Sequence, residues 1–235
     1  MSKFIFNPQP PTTVAINGSD KLFPVNRIFC VGRNYVAHAK EMGSADKLDP
    51  PFFFMKQADA IVVGDTEVEY PDNTSELHHE VELVVALKSQ CYSVEKDVAL
   101  KSVFGYAVGI DLTKRDLQTL AKNKSRPWDV AKSFYHSAPI APLTPVNEIG
   151  HLFLKKAKID LSLNGERKQQ GKLSDMIWDV GSIISYLSSY HELNSGDLIF
   201  TGTPSGVGPI KIGDKINANI TGLKSLNIKF KKRYE

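Results

Sequence analysis

Cysteine is scarce in this chain: Cys30 and Cys91 are the only two in 235 residues. Two isolated thiols without metal-ligand spacing exclude a disulfide framework or a zinc ribbon, and they favour a reducing, intracellular compartment. Long hydrophobic runs are also missing. No stretch is long enough to span a bilayer, and Pro8 interrupts the N-terminus before any apolar run of signal-peptide length. A cytoplasmic protein with no membrane partner is therefore expected. Neither sign of charge dominates, because 29 basic and 26 acidic residues leave a net charge of only +3. So small an excess, with no stripe of stacking aromatics, argues against nucleic acid as a partner. Internal repeats and low-complexity linkers are absent too. What remains is an ordinary globular composition, 42% hydrophobic, sufficient for a sizeable core.

The punctuation of the chain points to a mainly β architecture. Residues 1–25, with the Pro-Gln-Pro-Pro run, read as a lead-in of strand and loop, and residues 26–235 as a single domain. Ile28 to Val31 reads as a strand ending at Gly32, followed by a helix from Asn34 to Met42 with Asn34 as N-cap and Gly43 past its end. Phe52 to Met55, Ala60 to Val63 and Val81 to Ala86 read as buried strands. Gly105 to Asp111 is a glycine-containing strand ending in an acid, after which Asp111 to Lys122 turns helical. Asn164-Gly165 is a strong two-residue hairpin signal. Ser174 is expected to cap a helix carrying Met176, Ile177, Val180, Ile183, Ile184 and Leu187 at helical spacing. Asp197 to Thr201 and two strands around Thr221-Gly222 complete the chain. Strands outnumber helices and most neighbours are joined by hairpins, which favours one mixed, mainly antiparallel α+β domain over a βαβ fold.

The stretch His79-Glu-Val-Glu-Leu-Val-Val85 is the richest in chemical information. Glu80 and Glu82 lie two apart on a β-prone segment and so share a face. Two readings are open: a half-exposed strand with a solvated acidic face, or two buried acids relieved by a hard divalent cation. Asp111, ending its own strand, is the first candidate partner. Three carboxylates suit Mg²⁺ or Mn²⁺ better than zinc. The order His-Glu-Val-Glu is not the zinc-peptidase motif, so His78 and His79 are read as hydrogen-bond partners.

His38 and Glu41 are three apart on the expected helix. They form either a carboxylate-oriented general base or an ordinary exposed pair. Lys132 sits among Val130, Ala131 and Phe134; it is a snorkelling lysine or a cation aimed at substrate. Arg33 and Arg115 pose the same choice, with a fork suited to carboxylates. The loop Thr201 to Pro209 lacks the Gly-Lys-Ser/Thr ending of a P-loop, but its backbone N–H groups and the Thr203 hydroxyl could contact a substrate carboxylate. Lys229 to Arg233 reads as a solvated strand end.

In order along the chain, Val31-Gly-Arg-Asn-Tyr35 with His38 and Glu41, His78-His-Glu-Val-Glu82, Gly109-Ile-Asp-Leu-Thr-Lys-Arg-Asp116 with Gln118, Ala131-Lys-Ser-Phe134, Asn164-Gly165 with Gln169, and Thr201-Gly-Thr-Pro-Ser-Gly-Val-Gly208 resemble the fumarylacetoacetate hydrolase family. The resemblance spans roughly residues 25 to 225 and is greatest to the short, single-domain branch of acylpyruvate hydrolases and oxaloacetate decarboxylases. It implies a mixed β-roll and a homodimer. It also implies Mg²⁺ or Mn²⁺ on Glu80, Glu82 and Asp111, a base dyad of His38 and Glu41, and Lys132 beside the metal. Arg33, Arg115, Gln118 and Thr203 are the implied substrate contacts. The expected activity is hydrolysis of a C–C bond in an acylpyruvate or related 2,4-dioxo acid, with fumarylpyruvate as an example. The alternatives are oxaloacetate decarboxylase or tautomerase, isomerase of aromatic-degradation intermediates, or a catalytically silent binding protein. Tyr135 stands where related sequences often carry Asp or a small residue, so the pocket wall is expected to differ there.

Overall fold

The computed structural model describes residues 3–41 and 49–233, without the side chains of 39–41. The fold is a mainly β roll built on one large mixed sheet. Its strand order is Phe52–Lys56, Ile28–Gly32, Leu198–Phe200, Val81–Leu87, Val103–Ile110, Ala138–Ile140 and Ile61–Val63, with Thr144–Pro145 pairing beside Val103–Ile110. Val81–Leu87 is central, and all seven of its residues are buried. That burial explains why it reads as a continuous apolar run rather than an alternating one: both faces of the sheet are covered. Val81, Leu83, Val85 and Leu87 join one core with Ile183, Ile184 and Leu187 of the helix Val180–Tyr190 and with Ile159, Leu161, Ile216 and Phe230. Val84 and Ala86 face a second core with Ile28, Cys30, Phe200, and Val14 and Phe23 of the N-terminal ribbon.

The first core is closed by a five-stranded sheet ordered Glu166–Lys172, Lys158–Leu163, Lys215–Ile220, Leu226–Lys231 and Thr66–Glu69. Its hairpin turns at Asn164 (φ 52°) and Gly165 (φ 84°), the pair of positive φ values that a tight hairpin requires. A third, three-stranded sheet sets Leu77–His79 between Thr113–Lys114 and Gly208–Ile210. Most pairings are antiparallel, but Leu198–Phe200 runs parallel to Ile28–Gly32, Ala138–Ile140 to Ile61–Val63, and Leu226–Lys231 to Thr66–Glu69. No helix among the described residues is long and apolar enough to cross a membrane. Cys30 and Cys91 are both free and buried.

Several local expectations are corrected by tertiary contacts. Asn34 is not an N-cap; the helix is Val36–Glu41, and the Asn34 side chain is fully buried in long-range bonds described below. Gly43 lies outside the described residues. Ser174 caps no long helix: Leu173–Asp175 is a 3₁₀ turn, and Met176 then turns extended because the Ile177 N–H is drawn to the Asn34 carbonyl, 2.7 Å away. The helix begins only at Val180, capped by Asp179, whose Oδ1 accepts the Ser182 N–H at 2.9 Å. Helical structure does not follow Asp111 at once, since Thr113–Lys114 first pairs with Leu77–His79 and the helix is Arg115–Asn123. Phe52–Lys56 is an edge strand, which leaves Phe52 and Met55 exposed rather than buried.

Candidate metal centre and active-site cleft

The acids converge because two antiparallel strands end together. Val81 pairs with Ile110 and Glu82 with Gly109. One step beyond the ladder, the Asp111 N–H donates to the Glu80 carbonyl at 2.9 Å. Glu80 precedes the first strand and Asp111 follows the second. A side chain at Gly109 has no room, because a Cβ there would lie 2.5 Å from a Val84 methyl. Glu80, Glu82 and Asp111 are all buried, and each offers an oxygen within 4.8 Å of the others'. The solvated acidic face is thereby excluded.

Cations have been drawn in around them. Lys132, at the end of the short helix Asp129–Lys132, is buried with Nζ 2.8 Å from Glu80 Oε2, 2.6 Å from Asp111 Oδ2 and 2.6 Å from Thr113 Oγ1. It is not a snorkelling lysine. Arg115, in the first turn of its helix, donates from Nη2 to Glu80 and from Nη1 to Gln118 Oε1. Burial opposes ionisation of Glu80, but Lys132, Arg115 and His38 outweigh it and hold the carboxyl well below the usual range. Burial likewise works against the Lys132 ammonium, yet Asp111 and Glu80 raise its pKa.

Glu82 is the odd acid. Its Oε2 accepts the Gly202 N–H at 2.7 Å, but burial, with Asp111 and Glu80 beside it, drives its pKa well above the carboxylate value. Asp111 Oδ1 is buried with no hydrogen bond, although the Lys56 ammonium stands 2.8 Å away as an ion pair. A crowded all-oxygen set with one acid lacking a counter-cation and one orphaned oxygen fits a hard divalent ion such as Mg²⁺ or Mn²⁺.

His38 is buried on the helix Val36–Glu41 and lines the same cleft as the three acids, together with Arg33, Arg115, Gln118, Lys132 and Thr203. Every described residue among the expected contacts thus lies at one cleft. Glu41 ends that helix, but its side chain lies outside the described residues. Arg33 has φ 59°, rare for a side chain that gains nothing locally from the left-handed region, and its guanidinium approaches the Phe52 ring. Phe52 and Trp128, which also line the cleft, meet edge to face at 5.2 Å. Tyr135 stacks on His136 away from the residues lining the cleft, so the expected change in the pocket wall does not arise from it.

The expected hydrogen-bonding histidines are found: His78 Nε2 pairs with Glu76 at 2.9 Å and His79 Nδ1 with Gln169 Oε1 at 2.9 Å. Gln169 is a hub. Its Oε1 also accepts the Val81 N–H at 3.0 Å, and its Nε2 donates to Thr203 Oγ1 at 2.8 Å and the Pro204 carbonyl at 2.9 Å. Gln169→Ala would strand several buried groups, each worth ~1–3 kcal/mol when unsatisfied. We expect a loss of about 2–4 kcal/mol, read from urea unfolding; a variant as stable as wild type would refute the hub.

Sequence reasoning missed three contributors. Lys56 ends an apolar strand, which is the only local sign of it. Gly202 supplies the N–H to Glu82 at φ 93°, where a Cβ would lie 2.7 Å from that of Asn34. Asn34 clamps the loop: Nδ2 donates to the Trp178 carbonyl at 2.9 Å and the Thr201 carbonyl at 2.8 Å, and Oδ1 accepts the Trp178 N–H at 2.7 Å.

The chain is similar to known proteins along nearly all of its length. The family described as fumarylacetoacetate (FAA) hydrolase C-terminal matches residues 27–231. A human mitochondrial oxaloacetate tautomerase is 43% identical over 205 residues, covering 87% of this chain and 91% of that protein. An Escherichia coli oxaloacetate tautomerase is 37% identical over 200 residues, covering 85% and 90%. Among solved structures, Pseudomonas aeruginosa fumarylpyruvate hydrolase in complex with Mn²⁺ and pyruvate superposes with a TM-score of 0.95 at 43% identity, covering 98% of this chain and all of that one.

Proposed function

The chain belongs to the fumarylacetoacetate hydrolase family, and from that premise we propose that it is a Mg²⁺- or Mn²⁺-dependent oxaloacetate tautomerase with accompanying decarboxylase activity. The observation that carries this is the buried cluster of Glu80, Glu82 and Asp111 ringed by Lys56, Lys132 and Arg115. In that cluster the acids and side-chain cations balance, so a bound divalent ion leaves a net positive cleft suited to an anionic oxo acid. The names of the curated relatives favour oxaloacetate over the acylpyruvate expected from the sequence. Acylpyruvate-type hydrolysis is kept as a second reading because of the likeness to fumarylpyruvate hydrolase.

Glu80, Glu82 and Asp111 would hold the ion, which supplies Lewis acidity toward the carboxylate and 2-oxo oxygens of the substrate. Lys132 keeps a fixed positive charge beside the oxygen on which electron density accumulates. His38 moves a proton between the enol oxygen at C2 and carbon C3. In decarboxylation the C3–C4 bond breaks, carbon dioxide leaves and C3 is then protonated; no water attacks. In the hydrolytic reading His38 takes a proton from water as it adds to the C4 carbonyl; the C3–C4 bond breaks to give a carboxylic acid and the pyruvate enolate, and the proton returns to C3.

The test is to assay oxaloacetate, fumarylpyruvate and acetylpyruvate with Mg²⁺ and with Mn²⁺, following enol absorbance, carbon dioxide and pyruvate separately. Rapid decay of the oxaloacetate enol beyond the rate of carbon dioxide release is expected. Fast pyruvate release from fumarylpyruvate with inert oxaloacetate would move the assignment to the second reading, and inertness toward all three would overturn the proposal.

Arg33 is proposed to hold the distal carboxylate at the cleft mouth. Hydrogen bonds to charged groups are worth ~1.5–3 kcal/mol, so Arg33→Met is expected to raise KM for oxaloacetate by about tenfold or more. KM for acetylpyruvate, which lacks a second carboxylate, should hardly change. An equal rise for both would remove Arg33 from that role.

A further inference from the structure

Lys56 belongs to none of the motifs singled out in the sequence, yet it is a buried cation on the edge strand Phe52–Lys56. Its ammonium donates to the Leu112 carbonyl at 3.3 Å and to the backbone carbonyl of Lys132. It also stands 2.8 Å from Asp111 Oδ1 without an aligned hydrogen bond. One group thus joins three segments: the edge strand, the Asp111–Leu112 connection and the end of the helix that carries Lys132. Phe134, its ring centroid 5.6 Å from Nζ, walls the same space.

We propose that Lys56 is a positioning residue, which sets Asp111 and Lys132 in register by holding the carbonyls of Leu112 and Lys132. An ammonium has three N–H donors. Two are engaged by the carbonyls, so Asp111 is held by charge while its Oδ1 lone pairs stay open toward a cation. The helix that carries Lys132 is only four residues long, Asp129–Lys132; its last N–H donates to the Trp128 carbonyl at 2.9 Å, and the Lys132 carbonyl also accepts the Ser137 hydroxyl at 3.1 Å. Those bonds are local, and Lys56 adds the tie from this carbonyl to the edge strand and to the Asp111–Leu112 connection.

The inference rests on the proposed metal site, and the test separates the two. Mn²⁺ binding to the metal-free protein is titrated by electron paramagnetic resonance in wild type, Lys56→Met and Lys56→Gln, with Tm and kcat measured alongside. Gln keeps two N–H donors for the carbonyls but no charge; Met keeps only the length. Outer partners of metal ligands typically contribute about 10–100-fold in affinity or activity. Lys56→Met is therefore expected to weaken Mn²⁺ binding and lower kcat by about tenfold or more, while Lys56→Gln stays within about threefold of wild type in Mn²⁺ affinity. Lys56→Met with normal Mn²⁺ affinity and only a lowered Tm would overturn the proposal, as would Lys56→Gln weakened tenfold, a result readable even if the Met variant does not fold. A wild-type protein that binds no Mn²⁺ would instead overturn the metal reading itself.

Discussion

Asp111→Asn is expected to abolish Mn²⁺ binding and lower oxaloacetate turnover by more than ~10²-fold, the upper range for merely outer-sphere partners. The substitution keeps the shape of the side chain and removes its charge at a position with no solvent exposure. Lys132 and Lys56 then both face an amide that cannot balance them. Removing one member of a buried ion pair leaves an uncompensated charge and costs about 3–5 kcal/mol, so the variant should also unfold at lower urea concentration. The measurements are Mn²⁺ titration, initial rates, and circular dichroism to establish that the folded state is being assayed. A folded Asp111→Asn protein retaining more than a tenth of wild-type turnover would disprove the role given to this acid, and so would full wild-type activity in excess chelator.

His38→Ala should separate the two chemistries that one cleft can serve. Loss of a general base typically costs ~10²–10⁴-fold, and acylpyruvate hydrolysis and tautomerisation should both fall by that order, because each needs a proton moved during the slow step. Decarboxylation of oxaloacetate should fall less, since bond cleavage needs charge stabilisation beside Lys132 but no base to activate water. The informative quantity is the ratio of tautomerase to decarboxylase rate in the variant. If both rates fall and the ratio equals wild type, His38 binds substrate rather than moving a proton. If all rates are unchanged, the proton carrier lies elsewhere in the cleft.

The chemistry of the donor set was legible from residues alone. Glu80 and Glu82, two apart in extended chain at the start of a strand, are expected to share a face. The Asn164-Gly165 turn was legible for the same reason: the positive φ values it needs select those residue types. Asn34 was misread because its side chain offers the same groups to a helix end or to a distant loop, and only packing chose Thr201 and Trp178. The expected helix at Ser174 was displaced by that same clamp, which took the Ile177 N–H for itself.

The sequence by itself therefore put Glu80 and Glu82 on one face, marked several of the strands around them, and narrowed the pair to a solvated acidic face or a hard, oxygen-bound cation. Tertiary structure alone decided which cations neutralise those acids. Lys56, Lys132 and Arg115 come from an edge strand, a one-turn helix and a helix start, separated from Glu80 by 24, 52 and 35 positions. No local period relates them. A buried charge is a long-range demand, satisfied by whatever cation the fold carries within reach, and only the closed roll brings these three within 3 Å of a carboxylate oxygen.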